Sequence, residues 1–183
     1  MNANESTTKY LEAIVLCDLA NGIGRDGDQT YYISGDLERF KEKTMDHVMI
    51  AGRKTLATFP QGKGLKGRTN LILSRFVEEQ DVDSERPTLY FDTLDSLLET
   101  CDAIRKDAPS KQFFILGGSS VYEQMMPYTT KVHLTRVNAF AKDVDRYFPD
   151  LEAHGFRLKS ADEWLYDAEN RVYYRYELWL TES

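Results

Sequence analysis

Apolar positions along the chain fall into short runs whose period switches between strand and helix. Ala13-Ile14-Val15-Leu16-Cys17 and Val48-Met49-Ile50-Ala51 are uninterrupted apolar runs, the signature of strands covered on both faces. Asn70 to Ser74, Leu89 to Phe91, Phe113 to Leu116 and Lys131 to Val137 repeat it. Between them the period lengthens. Ser34 is the expected N-cap of a helix from about Gly35 to Lys43, with Leu37, Phe40 and Lys41 at helical spacing. Leu94, Leu97, Leu98, Cys101 and Ile104 form the apolar stripe of a helix over 94–108. Shorter helices are predicted from Arg53 and from Ser119 to Met126, the latter stopped by Pro127. The stretch 21–28, with Gly22, Gly24 and Gly27, reads as a loop. Phe156 to Trp164 and Val172 to Leu180 read as a hairpin around 167–170, in which Tyr173-Tyr174 are packing residues.

Alternating strands and helices predict an α/β fold with a mostly parallel sheet and an antiparallel hairpin at its edge. At 183 residues the chain is expected to hold one domain, over residues 10–183, behind a flexible tail at 1–9. It shows no internal repeat and no low-complexity tract.

Charge changes the picture by its distribution. The net charge is −7, which argues against general binding to nucleic acid or to an anionic membrane. Residues 36–75 nevertheless hold nine lysines and arginines against four acids, a balance of +5, so the other residues carry −12. A basic island on an acidic chain suits a compact anionic ligand, although chance clustering on solvated faces reads equally well. The polar start of the chain carries no apolar signal segment, and Cys17 and Cys101 lack ligand-like spacing. Both are expected to be reduced core residues of a cytoplasmic protein.

Two strand-to-helix junctions carry glycine: Ala51-Gly52-Arg53-Lys54-Thr55, and Leu116-Gly117-Gly118-Ser119-Ser120-Val121. Glycine lets a ligand approach the backbone, and a helix start offers unpaired N–H groups to an anion. Each alone is well read as a turn; the two together suggest a dinucleotide at the carboxyl ends of the strands. Asp36 falls in the first turn of the predicted helix beside Ile33, Leu37 and Phe40. A cleft carboxylate so placed suits a cationic or amidine-like heterocycle, and from position alone it is equally a helix-start acid without a role. His47, His133 and His154 form no metal motif, and no nucleophile elbow is present. No metal site is expected.

The ordered motifs Asn21-Gly22-Ile23-Gly24, Asp36 to Lys41, Gly52 to Thr55, Phe59-Pro60, Leu65, Arg68-Thr69-Asn70, Leu73-Ser74-Arg75, Ile115 to Gly118 with Val121-Tyr122, Leu134-Thr135-Arg136 and Asp145 to Pro149 resemble dihydrofolate reductase. The resemblance covers residues 11 to about 181. It implies a central eight-stranded mixed sheet, mostly parallel with an antiparallel C-terminal strand, flanked by about four helices. It also implies NADPH-dependent reduction of 7,8-dihydrofolate to tetrahydrofolate by a monomer, serving one-carbon metabolism and open to antifolate inhibitors. Asp36 would bind the pterin and promote protonation of N5, supported by Thr135. Val15, Leu37, Phe40, Phe59, Leu65 and Leu116 would line the substrate, and Arg68 would clamp its glutamate carboxylate. Leu16, Ile23 and Gly24 would hold the nicotinamide carboxamide. Gly52, Gly117, Gly118, Ser119, Ser120, Val121 and Tyr122 would frame the ribose and diphosphate. Arg53, Lys54, Thr55, Ser74 and Arg75 would take the adenosine phosphates.

Gln29-Thr30-Tyr31 departs from the resemblance, because the family usually carries Leu or Met followed by Pro-Trp there. Tyr31 would supply an O–H donor from a different reach. Retuned loop closure and altered antifolate sensitivity are the expected results. A same-fold pyrimidine reductase of riboflavin synthesis and a non-catalytic NADPH-binding module are the competing readings.

Overall fold

The uninterrupted apolar runs become strands with neighbours on both edges and packing on both faces. The computed structural model describes residues 9–76 and 83–182; apart from Lys9, the expected tail lies outside them. In chain order the strands are β1 (Leu11–Cys17), β2 (Gly22–Arg25), β3 (Asp28–Gln29), β4 (Val48–Gly52), β5 (Thr69–Leu73), β6 (Thr88–Phe91), β7 (Phe113–Gly117), β8 (Thr129–Val137), β9 (Arg146–Tyr147), β10 (Phe156–Ala161), β11 (Leu165–Asp167) and β12 (Val172–Thr181). The helices are α1 (Ser34–Thr44), α2 (Arg53–Thr58), α3 (Leu94–Asp107) and α4 (Ser119–Met125).

The main sheet runs β10-β12-β8-β1-β7-β4-β5-β6. From β8 to β6 every pair is parallel, while β12 is antiparallel to β8 and to β10. The expected eight-stranded mixed sheet is therefore present, with the short β11 adding to β12 beside β10. One face is the main core: Leu11, Ala13, Val15 and Cys17 of β1 meet Leu97, Leu98 and Cys101 of α3 and Val121 and Met125 of α4. The opposite face holds two smaller clusters, Leu16 with Ile33, Val137 and Tyr174, and Ala51 with Leu56 and Ile72. Among the described residues, no helix is long and apolar enough to cross a membrane.

The helices use their apolar stripes differently. α3 buries its stripe, and its N-cap Thr93 accepts the Ser96 N–H at 3.2 Å. α1 buries only Thr44 and leaves Leu37 46% exposed. A stripe left open beside a sheet is a cleft wall rather than core.

Two local expectations are corrected. The N-cap of α1 is Ile33, in extended backbone and without a side-chain cap, and Ser34 is the first helical residue. Ile33 is 1% exposed, packed with Leu16, Val137 and Tyr174, so burial rather than hydroxyl capping fixes where the helix starts. The stretch 21–28 is a hairpin rather than a loop. Asp26 and Gly27 both have positive φ, +51° and +79°, as a two-residue turn of the primed kind requires. β2 gains its second neighbour from β9, far along the chain.

β1 also carries a charge into the sheet. Buried Glu12 accepts hydrogen bonds from His133 Nε2 at 2.9 Å and Gln112 Nε2 at 3.1 Å, with Lys131 Nζ at 3.7 Å. Burial pushes its carboxyl up, but the His133 hydrogen bond, the charges of His133 and Lys131 and the Gln112 hydrogen bond together hold it below its usual value. A lowered native value contributes stability above the unfolded value and loses it as pH falls through the native one. Glu12→Gln is expected to cost about 1–3 kcal/mol near neutral pH, with the gap in melting temperature closing in acid as the wild-type carboxyl protonates. A gap constant from about pH 7 to pH 3 would assign the loss to packing instead.

Candidate active site

The parallel strands deliver their carboxyl ends to one edge of the sheet, where β1 ends at Cys17, β4 at Gly52, β5 at Leu73, β7 at Gly117 and β8 at Val137. Open α/β sheets bind ligands at this edge. Asp36, in the first turn of α1, reaches across to β8, and the Thr135 hydroxyl donates to its Oδ1 at 2.5 Å. Burial pushes the Asp36 carboxyl up, opposed by the Thr135 hydrogen bond and the nearby charge of Arg39. Leu37 and half-buried Phe40 continue this face of α1.

The two glycine junctions are neighbours, because β4 and β7 pair in parallel with Ala51 opposite Gly117. A Cβ on Gly52 would stand 3.0 Å from Val121 Cγ2. At Gly117, where φ is +123°, a Cβ would stand 3.2 Å from the Tyr122 ring, and at Gly118 3.6 Å from Thr55 Oγ1. The glycines thus keep a backbone cradle clear of side chains. Arg53 and Lys54 are exposed beside it. Ser74 is buried, its hydroxyl bonded to the Phe76 backbone, and Arg75 is exposed. Arg53 stacks on Phe76 at 4.7 Å. Ser119 and Ser120 open α4, with Ser120 Oγ accepting from Gln124 at 2.9 Å. The Tyr122 hydroxyl donates to the Ile14 carbonyl at 2.7 Å and its ring meets Phe148, so this side chain already has its partners in the fold. A dinucleotide fits a glycine cradle flanked by exposed cations.

The β2–β3 hairpin is held at this edge by carboxylates. Asp18 Oδ1 accepts the N–H groups of Ala20 and Gly22 at 2.8 and 2.7 Å, and Oδ2 accepts that of Ala141 at 2.9 Å. Asp145 N–H donates to the Gly24 carbonyl, and Asp145 Oδ2 accepts the Asp26 N–H, both at 3.0 Å. Gly24 is buried in β2 and Ile23 packs on the main core. Within the divergent stretch, Gln29 Nε2 donates to the Tyr31 carbonyl at 2.7 Å, and Thr30 Oγ1 is buried without a hydrogen-bond partner. Tyr31 packs on the Leu16–Ile33 cluster. Burial and the charge of Asp18 push its hydroxyl up, with Arg25 opposing.

Further along the edge, Phe59 and Leu116 pack together on the Ala51–Leu56–Ile72 cluster. Half-buried Leu65 is fixed by Asn70, which accepts its N–H at 2.8 Å and donates to its carbonyl at 3.1 Å. Arg68 lies instead at the amino end of β5 and is 8% exposed, with Nε donating to Thr44 Oγ1 at 3.2 Å and NH1 to the Lys66 carbonyl at 2.6 Å. Val15 is the exception among the expected lining residues, since it packs in the main core on the face of β1 opposite Leu16. Supporting residues missed in the sequence are Asp18, Thr44 and Asn70. A polar residue inside or directly after an apolar run was the readable signal for Asn70 and Asp18, while nothing local marked Thr44 at the end of α1.

The dihydrofolate reductase family model matches residues 10–180. Dihydrofolate reductase type 9 of Escherichia coli is 34% identical over 128 residues, 69% of this chain and 70% of that protein. The dihydrofolate reductase of Bacillus subtilis is 27% identical over 161 residues, 88% of this chain and 87% of that protein. That of Staphylococcus haemolyticus is 27% identical over 169 residues, 92% of this chain and 94% of that protein. With a family model spanning nearly the whole domain, the chain belongs to the dihydrofolate reductase family.

Proposed function

We propose that the chain reduces 7,8-dihydrofolate to 5,6,7,8-tetrahydrofolate with NADPH as the reductant. The observation that carries this reading is the Asp36–Thr135 pair, a carboxyl on an apolar-walled helix start at the same sheet edge as the glycine cradle. NADPH, when bound, supplies the hydride that reaches C6 of the pterin. The ionised carboxylate of Asp36 accepts hydrogen bonds from the amidine-like edge of the ring. Thr135 holds Oδ1 in place, so the ring meets a carboxylate of fixed orientation. Burial pushes that carboxyl up, towards the range where a carboxyl exchanges protons usefully, which favours protonation at N5.

Leu37, Phe40, Phe59 and Leu65 keep water from the ring. Arg68 enters the site already oriented, since Thr44 and the Lys66 carbonyl occupy part of its donor fork. Its remaining N–H groups suit the carboxylate of a glutamate tail. The Gly52 and Gly117-Gly118 backbone, with Ser119, Ser120 and Thr55, receives the diphosphate, and Leu16, Ile23 and Gly24 border the carboxamide. Arg53, Lys54 and Arg75 favour a 2′-phosphorylated cofactor.

The assay follows oxidation of the reduced nicotinamide with and without dihydrofolate. Dihydrofolate-dependent oxidation is expected in the wild type, with Asp36→Asn slower by about 10²–10⁴-fold; no dependence on dihydrofolate in the wild type overturns the reading. Arg53→Ala with Arg75→Ala is expected to weaken NADPH about 10–100-fold, as lost charged hydrogen bonds imply, while leaving NADH within about threefold. Equal losses for both cofactors would refute the phosphate assignment. Tyr31→Trp is expected to change both the hydride-transfer rate and diaminopyrimidine inhibitor binding. If neither moves, the loop at 29–31 does not tune this site.

A further inference from the structure

Arg39 follows Asp36 by one helical turn on α1, a spacing that puts both side chains on one helix face. Its guanidinium carbon lies 3.7 Å from the centroid of the Tyr176 ring. Tyr176 stands directly opposite Thr135 in the β12–β8 register, and its hydroxyl donates to the Gly35 carbonyl at 3.3 Å. Thr135 donates to Asp36. These contacts close a circuit from Asp36 through Thr135, across to Tyr176, over to Arg39 and back along the helix. Among the described residues, Arg39 forms no ion pair. A half-buried cation held on an aromatic face has given up hydration without a carboxylate in contact.

We propose that Arg39 is a positioning residue for Asp36: stacked on Tyr176, it fixes a positive charge one turn behind the carboxylate and favours its ionised form. The proposal rests on the reading of Asp36 as the substrate-binding carboxylate. The surroundings agree in sign. Burial pushes the Arg39 guanidinium down, while Tyr176, Asp36 and Asp162 hold it up. Lys43, one turn further along α1, feels Arg39 as a like charge. Tyr174 faces Tyr176 at 5.9 Å, and β8 presents to Asp36 the neutral hydroxyl of Thr135. Arg39 is the charge that opposes the burial of Asp36.

Two measurements test this. In the first, single-turnover hydride transfer is followed across pH in the wild type, Arg39→Met and Arg39→Lys. The rate falls as pH rises because the substrate must gain a proton. In Arg39→Met the midpoint of that fall is expected to move up by about half a pH unit to one unit, since Asp36 then holds its proton longer. Arg39→Lys restores the charge and returns the midpoint towards wild type. The second uses the ligand-free protein with carbon-13 in its aspartate carboxyls, the Asp36 signal being assigned through Asp36→Asn. The Asp36 titration is expected to move up in Arg39→Met. An unmoved titration in folded Arg39→Met overturns the proposal, as does an upward shift in which Arg39→Lys matches Arg39→Met. If Arg39→Met does not fold, Tyr176→Leu removes the shelf under the guanidinium. It is expected to give a smaller upward shift, and no shift overturns the proposal. A titration that moves in a wild-type background unable to reduce dihydrofolate leaves the Arg39–Asp36 coupling standing and removes the proposed reaction.

Discussion

A carboxylate taken out of water loses free energy unless hydrogen bonds and charges replace its hydration, and the Thr135–Asp36 hydrogen bond is the replacement around which this molecule is arranged. The bond ties the first turn of α1 to the end of β8, elements separated by most of the chain. Along the helix that it anchors, Leu37 stays exposed and Phe40 half-buried. Ile33 pins the chain just before that turn, Tyr176 holds the Gly35 carbonyl within it, and α1 can therefore start without a capping hydroxyl. The half-buried acid and the uncapped helix start thus rest on three neighbouring contacts, made by Thr135, Ile33 and Tyr176.

The rest of the edge divides the remaining recognition between backbone and charge. Where β4 and β7 end, glycines expose peptide groups that any Cβ would cover. Exposed Arg53, Lys54 and Arg75 stand around that cradle, and Arg68, at the amino end of β5, is fixed by Thr44 and the Lys66 carbonyl. Within the basic island of residues 36–75, Arg53, Lys54 and Arg75 thus lie by the carboxyl ends of the strands, while Arg68 lies at the amino end of β5. The acidic remainder of the chain supplies Asp18 and Asp145, which hold the β2–β3 hairpin through backbone N–H groups.

Much of this was legible from the residues. Strands buried on both faces need continuous apolar runs, so β1, β4, β5, β7 and β8 could be read where they stand, and the stripe of α3 gave its bounds within a residue. Motif order identified the family, and through it Asp36, Thr135 and Arg68 were read as candidate site residues. The hairpin at 22–29 escaped because its glycines read as loop, although Asp26-Gly27 is the dipeptide of a two-residue hairpin turn. Arg39 and Tyr176 escaped for a related reason. A tyrosine in a β-rich hairpin reads as packing, and only the register between β12 and β8 sets it opposite Thr135. Ser34 misled because a hydroxyl at a helix start is a common cap, while the decisive residue was its buried neighbour. Contacts fixed by register or by distant partners are those that a linear pattern cannot carry.

The position of β1 between β7 and β8 has a consequence for how the chain is made. β1 is central in the finished sheet, and both of its hydrogen-bonding edges belong to residues 113–137, synthesised well after it. Until those residues are synthesised, Leu11 to Cys17 is an apolar segment with bare edges on both sides. Closing so long a loop costs entropy before any pairing repays it. A growing chain therefore carries this apolar strand unpaired over roughly a hundred further residues, and β4 and β5, the strands available earlier, pair with each other instead.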